Sequence, residues 1–127
     1  MKTWHLKFAS YKKPDDIFNL IVNGKKTIET RSRNPEDCDN DYSNIQIGYK
    51  LQFRSIASGR TIEKEVIFVH SYKSVEEMAE KEYYENVFPG ISSKENLINF
   101  YEVAKKKWGK KYKHELENYG IVAIGFK

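Results

Sequence analysis

Gly24-Lys25-Lys26-Thr27-Ile28-Glu29-Thr30-Arg31 reads G-x-K-x-x-E-x-R and runs from the end of a helix into a strand. Upstream, Pro14, Asp15 and Asp16 open the helix, since proline suits a first turn and acids complement the helix dipole. Ile17, Leu20 and Ile21 form its apolar face, and Gly24 stands where a left-handed cap costs least. From Thr27 to Ser32 the pattern alternates, with Ile28 and Thr30 on one strand face and Thr27, Glu29 and Arg31 on the other. An ammonium therefore sits at the strand entrance, and a carboxylate and a guanidinium stand two residues apart on one face. Such a trio can read a base edge through Glu29 and hold phosphate or carbonyl oxygen through Lys26 and Arg31. By chemistry alone, an exposed Glu–Arg pair of little energetic weight is the commoner arrangement.

Outward from this segment, Trp4, Leu6 and Phe8 alternate with His5 and Lys7, the pattern of a half-buried strand. Asn34 to Asn44 forms a polar, acidic, solvated loop. Ile45-Gln46-Ile47-Gly48 leads into a strand from Lys50 to Ser55, and Ser58-Gly59 turns the chain into a longer strand from Thr61 to about His70. Ser74 with Glu77 and Ser92 with Glu95 are capping boxes that start a short and a longer helix, with a turn at Phe88-Pro89-Gly90 between them. The longer helix places Leu97, Phe100, Tyr101, Ala104 and Trp108 on one face, and Gly120 to Phe126 closes as an apolar strand. The expectation is an α+β chain whose five to six short strands form a small, partly closed barrel with flanking helices.

The 127 residues suit one domain, 1–127, with 39% apolar and 31% charged residues as in ordinary globular proteins. Aromatics reach 14%, with nine Tyr, seven Phe and two Trp, and such rings serve cores, interfaces and base stacking alike. A formal charge of +4 gives mild support to an anionic partner, because 18 acids offset 22 bases. The single cysteine, Cys38, excludes an intramolecular disulfide and a thiolate zinc cluster. The sequence holds no apolar run of signal-peptide length or membrane span, so the expected location is cytoplasmic and no membrane partner is expected.

Beyond its chemistry, the segment from Gly24 to Arg31 resembles the hallmark motif of the ASCH domain, a PUA-like family. Trp4 to Phe8 is similar to that family's first strand, Ile17 to Gly24 to its first helix, and Ile47-Gly48-Tyr49-Lys50 to its usual turn, with Tyr49 where an acid is common. His70-Ser71-Tyr72 before an acidic helix, and the closing Tyr119-Gly120-Ile121-Val122, extend the likeness over nearly the whole chain. The resemblance implies a β-barrel with a cleft holding the motif residues, and a role in RNA binding, RNA processing or transcription and translation regulation. The implied partner is RNA or a nucleotide-like ligand, with no cofactor and no protein partner indicated. One branch of the family consists of amidohydrolases that deacetylate acetylcytidine; these resemble this chain at Lys26 but carry a threonine nucleophile where it has Glu29. A threonine hydroxyl can form an acyl intermediate, and Glu29 cannot take that part, although Glu29 as general base with Lys26 as electrostatic stabiliser would suit direct attack by water.

The candidate ligand-binding set is thus Lys7, Gly24, Lys26, Thr27, Glu29, Arg31, Arg54 and Tyr72, with Lys26 and Glu29 catalytic if the protein is an enzyme. Lys7 shares the non-core face of its strand, while Arg54 and Tyr72 offer a further charge and a stacking ring. The run from Lys105 to Lys113 is densely basic, and its lysines read as a loose electrostatic contribution with Trp108 in the core. Glu36, Asp37, Asp39 and Asp41 lack the glycine and glutamate that a calcium loop needs, with Tyr42 and Gly48 in those places. His5, His70 and His114 have no metal-ligand spacing and read as structural, and Cys38 has no cationic neighbour to activate it.

Overall fold

The apolar run Ile121–Phe126 is buried at every residue because its two faces serve two different cores. Val122, Ile124 and Phe126 join Leu6, Phe53 and Val66 inside a curled sheet, whereas Ile121 and Ala123 join Ile28, Met78 and Leu97 beneath a layer of helices. A strand buried on both faces shows continuous rather than alternating hydrophobicity, as this one does. The computed structural model in which this is seen describes residues 2–8 and 13–127.

Along the described residues the elements are β1 (Thr3–Phe8), α1 (Asp16–Val22), β2 (Ile28–Ser32), a 3-10 turn (Tyr42–Asn44), β3 (Lys50–Ser55), β4 (Thr61–Tyr72), α2 (Val75–Lys81), α3 (Tyr84–Val87), α4 (Lys94–Lys107), α5 (Lys110–Tyr119) and β5 (Ile121–Phe126). Five strands form one sheet in the order β1-β3-β4-β5-β2. β1 runs parallel to β3, with Leu6 opposite Phe53, and the other neighbours are antiparallel. Although β1 and β2 lie at opposite ends of that order, Arg31 of β2 donates to the Lys7 carbonyl of β1 at 3.3 Å. The sheet therefore curls on itself, and the expected α+β small barrel with flanking helices is what forms.

A bulge in β4 makes the two-core division work. The register against β5 shifts between Val66 and Phe68. Residues two apart in a regular strand share a face, but the extra residue reverses that parity. Val66 thus enters the barrel core while Phe68 packs on the helical side. There its ring lies over Gly125, where an ideal Cβ would come within 2.0 Å of it.

Several boundaries differ from expectation. The longer helix is capped by Ser93, whose side chain accepts from Asn96 N, and not by Ser92, which adopts φ 78. Ser74 does cap α2, accepting from Glu77 N. β4 runs on to Tyr72, and α3 and α5 were not foreseen. In the acidic loop Asp41 is buried, not solvated: it accepts from Ser43 and Asn34 and pairs with Arg33 at 3.2 Å. Trp108 lies beyond the last residue of α4 and is 53% exposed, so it is not a core residue.

Candidate functional site

Gly24, at φ +80, lets the chain reverse tightly after α1, and Lys26 N then donates back to Leu20 O at 2.9 Å. This reversal points the Lys26 side chain inward rather than to solvent, and it is buried. Its Nζ donates to Ile28 O at 2.7 Å and to Val87 O at 2.5 Å, and lies 3.5 Å from Glu29 Oε1. Burial pushes the Lys26 pKa down, with the Glu29 charge opposing.

Glu29, also buried, follows on β2. Its Oε1 accepts from Thr30 N at 3.1 Å, and its Oε2 accepts from Arg31 Nε at 3.1 Å and Nη2 at 2.9 Å. This forked pairing is directional as well as charge-assisted. The Arg31 guanidinium sits 5.6 Å from the Phe8 ring centroid and 5.4 Å from that of Tyr42. Burial, the largest single influence, opposes its charge, but Glu29 together with Tyr42 and Tyr112 outweighs burial and raises the Arg31 pKa. The three charges, spaced as Lys26, Glu29 and Arg31, thus form one connected ionic floor instead of an exposed surface pair.

Above that floor opens a cleft of about 480 Å³. One wall is aromatic: Phe88 and Phe100 have ring centroids 4.9 Å apart, and Trp108 stands edge-on to Tyr112 at 5.0 Å. Thr30 and Tyr101 bond hydroxyl to hydroxyl in the lining, and Ser32 donates to Glu115 at 2.8 Å. Burial pushes the Tyr101 and Tyr112 phenols up, so both stay protonated across the physiological range. The Tyr112 hydroxyl makes no hydrogen bond among the described residues.

Of the residues singled out in the sequence, Lys7, Lys26, Glu29 and Arg31 line this cleft together. Gly24 contributes its turn, and Thr27 donates N to Asn86 O at 3.1 Å; neither lines it. Arg54 is exposed on β3 opposite Thr61, and Tyr72 donates its hydroxyl to buried Glu82 beside His70 Nδ1, so both stand apart from the cleft. His5 bonds Gln52 at 2.9 Å and likewise lies outside. The lining residues not foreseen, among them Tyr42, Phe88, Tyr101 and Tyr112, come from the 3-10 turn and the helical layer. Their only sequence signal is an excess of aromatics. Among the described residues no group of three or more His, Cys, Asp or Glu is arranged to hold a metal ion, and no helix is long and apolar enough to cross a membrane.

The sequence profile of the ASCH domain matches residues 15–127. A search of curated proteins finds no match. The crystal structure of the hypothetical protein PH0355 is similar at 27% identity, with 98% of each chain covered and a TM-score of 0.67. The solution NMR structure of protein PF0455 from Pyrococcus furiosus is also 27% identical, covering 98% of this chain and 96% of that one, with a TM-score of 0.64. The ASCH domain from Lactobacillus crispatus JV V101 is 17% identical over 97% of this chain and 79% of its own, with a TM-score of 0.55, a likeness of fold.

Proposed function

The chain belongs to the ASCH domain family, with its PUA-like α+β fold, and from that membership we propose that it is an RNA-binding module whose cleft holds one nucleobase at the G-x-K-x-x-E-x-R motif. The observation that carries this reading is the pairing of an ionic floor with an aromatic wall in one 480 Å³ cleft. A base is flat, apolar on its faces and polar at its edge, so rings take the face and the floor takes the edge. Because both cores share β5, residues 1–127 are taken as a single domain.

The roles follow from which valences are already used. A carboxylate offers about four acceptor sites. Glu29 fills three of them with Thr30 N, Arg31 Nε and Arg31 Nη2, and the fourth, on Oε1, faces the Lys26 ammonium at a long 3.5 Å, so a base amine shares that oxygen with Lys26. Lys26 is committed to two main-chain carbonyls, and its part is to hold Glu29 charged and in place rather than to grip phosphate. Arg31 Nη1 and the Tyr112 hydroxyl remain as donors toward ring carbonyls or nitrogens.

Amidohydrolysis of a modified nucleoside such as acetylcytidine ranks second. Its support is the buried lysine of lowered pKa beside a carboxylate, an arrangement that often marks catalytic sites. Against it, Thr27 is outside the cleft and the Thr30 hydroxyl is bonded to Tyr101, so among the described residues no free threonine hydroxyl stands by Lys26 as nucleophile.

The deciding experiment titrates a labelled single-stranded RNA of mixed sequence against wild type and Glu29→Gln, and separately follows cytidine release from acetylcytidine by chromatography. Weaker RNA binding by the variant without turnover supports the binding module. Turnover that Lys26→Ala abolishes reverses the ranking, and RNA affinity untouched by Glu29→Gln removes the motif from the interface.

A further inference from the structure

Beside the cleft mouth the chain turns from α4 into α5 at Gly109, which adopts φ +94. Trp108 and Tyr112, on either side of that elbow, line the cleft, and their sequence neighbours Lys106, Lys107, Lys110, Lys111 and Lys113 are all exposed. Lys105 is different: it is largely covered and bridges Glu102 at 2.9 Å and Glu117 at 3.7 Å. The five exposed lysines form no ion pair among the described residues.

One of these positions, Lys110, is hard to explain by stability. Lys106 and Lys107 fall in the last turn of α4, where cations suit the helix dipole. Lys110 and Lys111 open α5, whose first turn holds no acid, so they put positive charge at the positive end of a helix dipole. At Lys111 this cost is offset by Glu36, Asp37 and Glu115, which line one hollow with it, whereas at Lys110 no ion pair among the described residues offsets it. An anionic partner at the elbow accounts for charges placed in this way.

We propose that the α4–α5 elbow is a phosphate-backbone track for a single-stranded polynucleotide, with Lys106, Lys107, Lys110 and Lys113 contacting successive phosphates while the base between them enters the cleft past Trp108. This rests on the base-in-cleft reading for its register, but the lysines themselves are tested independently of it. The strand must be single, because a base stacked in a duplex cannot meet Tyr112 and Phe100 at the cleft wall without first leaving the helix. An isolated nucleoside, lacking phosphates, gains nothing from the elbow.

The test measures binding of a labelled ten-nucleotide single-stranded RNA of mixed sequence as a function of salt, for wild type, for K106A/K107A/K110A, for the same three changed to arginine, and for Glu29→Gln. Each phosphate neutralised contributes a slope of about −0.7 in log affinity against log salt for a single strand, so losing three flattens the slope by about 2. Between 50 and 200 mM salt, wild type is then expected to lose roughly 20-fold more affinity than the alanine variant, with the arginine variant behaving as wild type. A salt slope unchanged in the alanine variant overturns the track, whatever Glu29→Gln does. A flattened slope with unaltered Glu29→Gln binding upholds the track and removes the cleft instead. The lysine variants change exposed side chains alone, and a circular dichroism melt of each variant, buried Glu29→Gln included, confirms that folding is intact.

Discussion

Arg31 reaches across the seam of the sheet to the main-chain carbonyl of Lys7, 3.3 Å from its Nη2, while the same nitrogen holds Glu29 at 2.9 Å. One guanidinium therefore joins the two edge strands and fixes the carboxylate at the cleft floor. Lysine has neither the fork nor the planar reach to do both.

Arg31→Lys is expected to lower the unfolding free energy, read from urea denaturation, by about 1–2 kcal/mol, a figure kept small because the Arg31 side chain is a quarter exposed and solvent screens it. Arg31→Met is expected to cost about 2–4 kcal/mol, since it leaves Glu29 buried with Lys26 as its remaining cationic partner. Equal midpoints for wild type and both variants would show that the seam closes without Arg31.

Lys26 makes stability depend on alkaline pH. Its folded pKa lies below the ordinary lysine value of 10.5, with burial as the leading cause. In the window between the folded and unfolded values the unfolded chain binds more protons, so stability rises with pH by at most about 1.4 kcal/mol per unit. Below that window the burial penalty is fully present. Tyr101 and Tyr112 act oppositely above pH 10, because their raised pKa values keep them protonated in the folded state while the unfolded phenols ionise. Both tyrosines are present in Lys26→Met, so the difference between the two proteins isolates the lysine. Wild type is expected to gain on the variant as pH climbs toward 10.5; a pH-independent difference in denaturation midpoints counts against it.

Gly125→Ala is expected to destabilise by about 1–3 kcal/mol, because the new methyl would stand within 2.0 Å of the Phe68 ring. Phe68→Leu makes room, so G125A in that background should cost less than in wild type. Calorimetry of the double-mutant cycle checks this, and strict additivity would mean the ring and the methyl never compete.

Trp108→Ala is expected to shift thermal stability by under about 1 kcal/mol, since the side chain is half exposed beyond the end of its helix. If a base stacks there, RNA affinity falls by about 1–3 kcal/mol, or roughly 5- to 150-fold. Fluorescence anisotropy reads the affinity, and a stability loss without an affinity loss would return Trp108 to a packing role.

The strand from Lys50 to Ser55 and the cap at Ser74 were legible because each depends on neighbouring residues alone. Trp108 was misplaced because it lies seven residues after Tyr101, in phase with the apolar stripe, while the helix itself stops at Lys107. A stripe predicts a face only as far as the helix continues, and Gly109 redirects the chain just beyond it. Helix α5 escaped notice because Leu116 is its one fully buried residue and its opening is nearly all lysine. The motif located the floor of the cleft, since Lys26, Glu29 and Arg31 share one short segment. The wall was not legible, because Phe88, Phe100 and Tyr112 meet Glu29 only through tertiary packing. Arg54 and Tyr72 were placed at the cleft by residue type, and residue type says nothing about where the curl of the sheet directs a strand.

The strand order has a consequence for how the molecule is made. β2 carries Glu29 and Arg31 of the ionic floor, with Lys26 two residues before it, yet its sheet partner among the described residues is β5, which is synthesised after every described helix. On the ribosome, β1, β3 and β4 can pair as soon as they emerge, whereas β2 must wait for a contact far along the chain, and such contacts form slowly. During that wait Glu29 and Lys26 lie open to water and the Gly24–Arg31 segment has no strand to hold it. The proposed base-holding cleft is thus incomplete in the nascent chain until β5 slots between β4 and β2, so closing the sheet and completing the cleft become a single event.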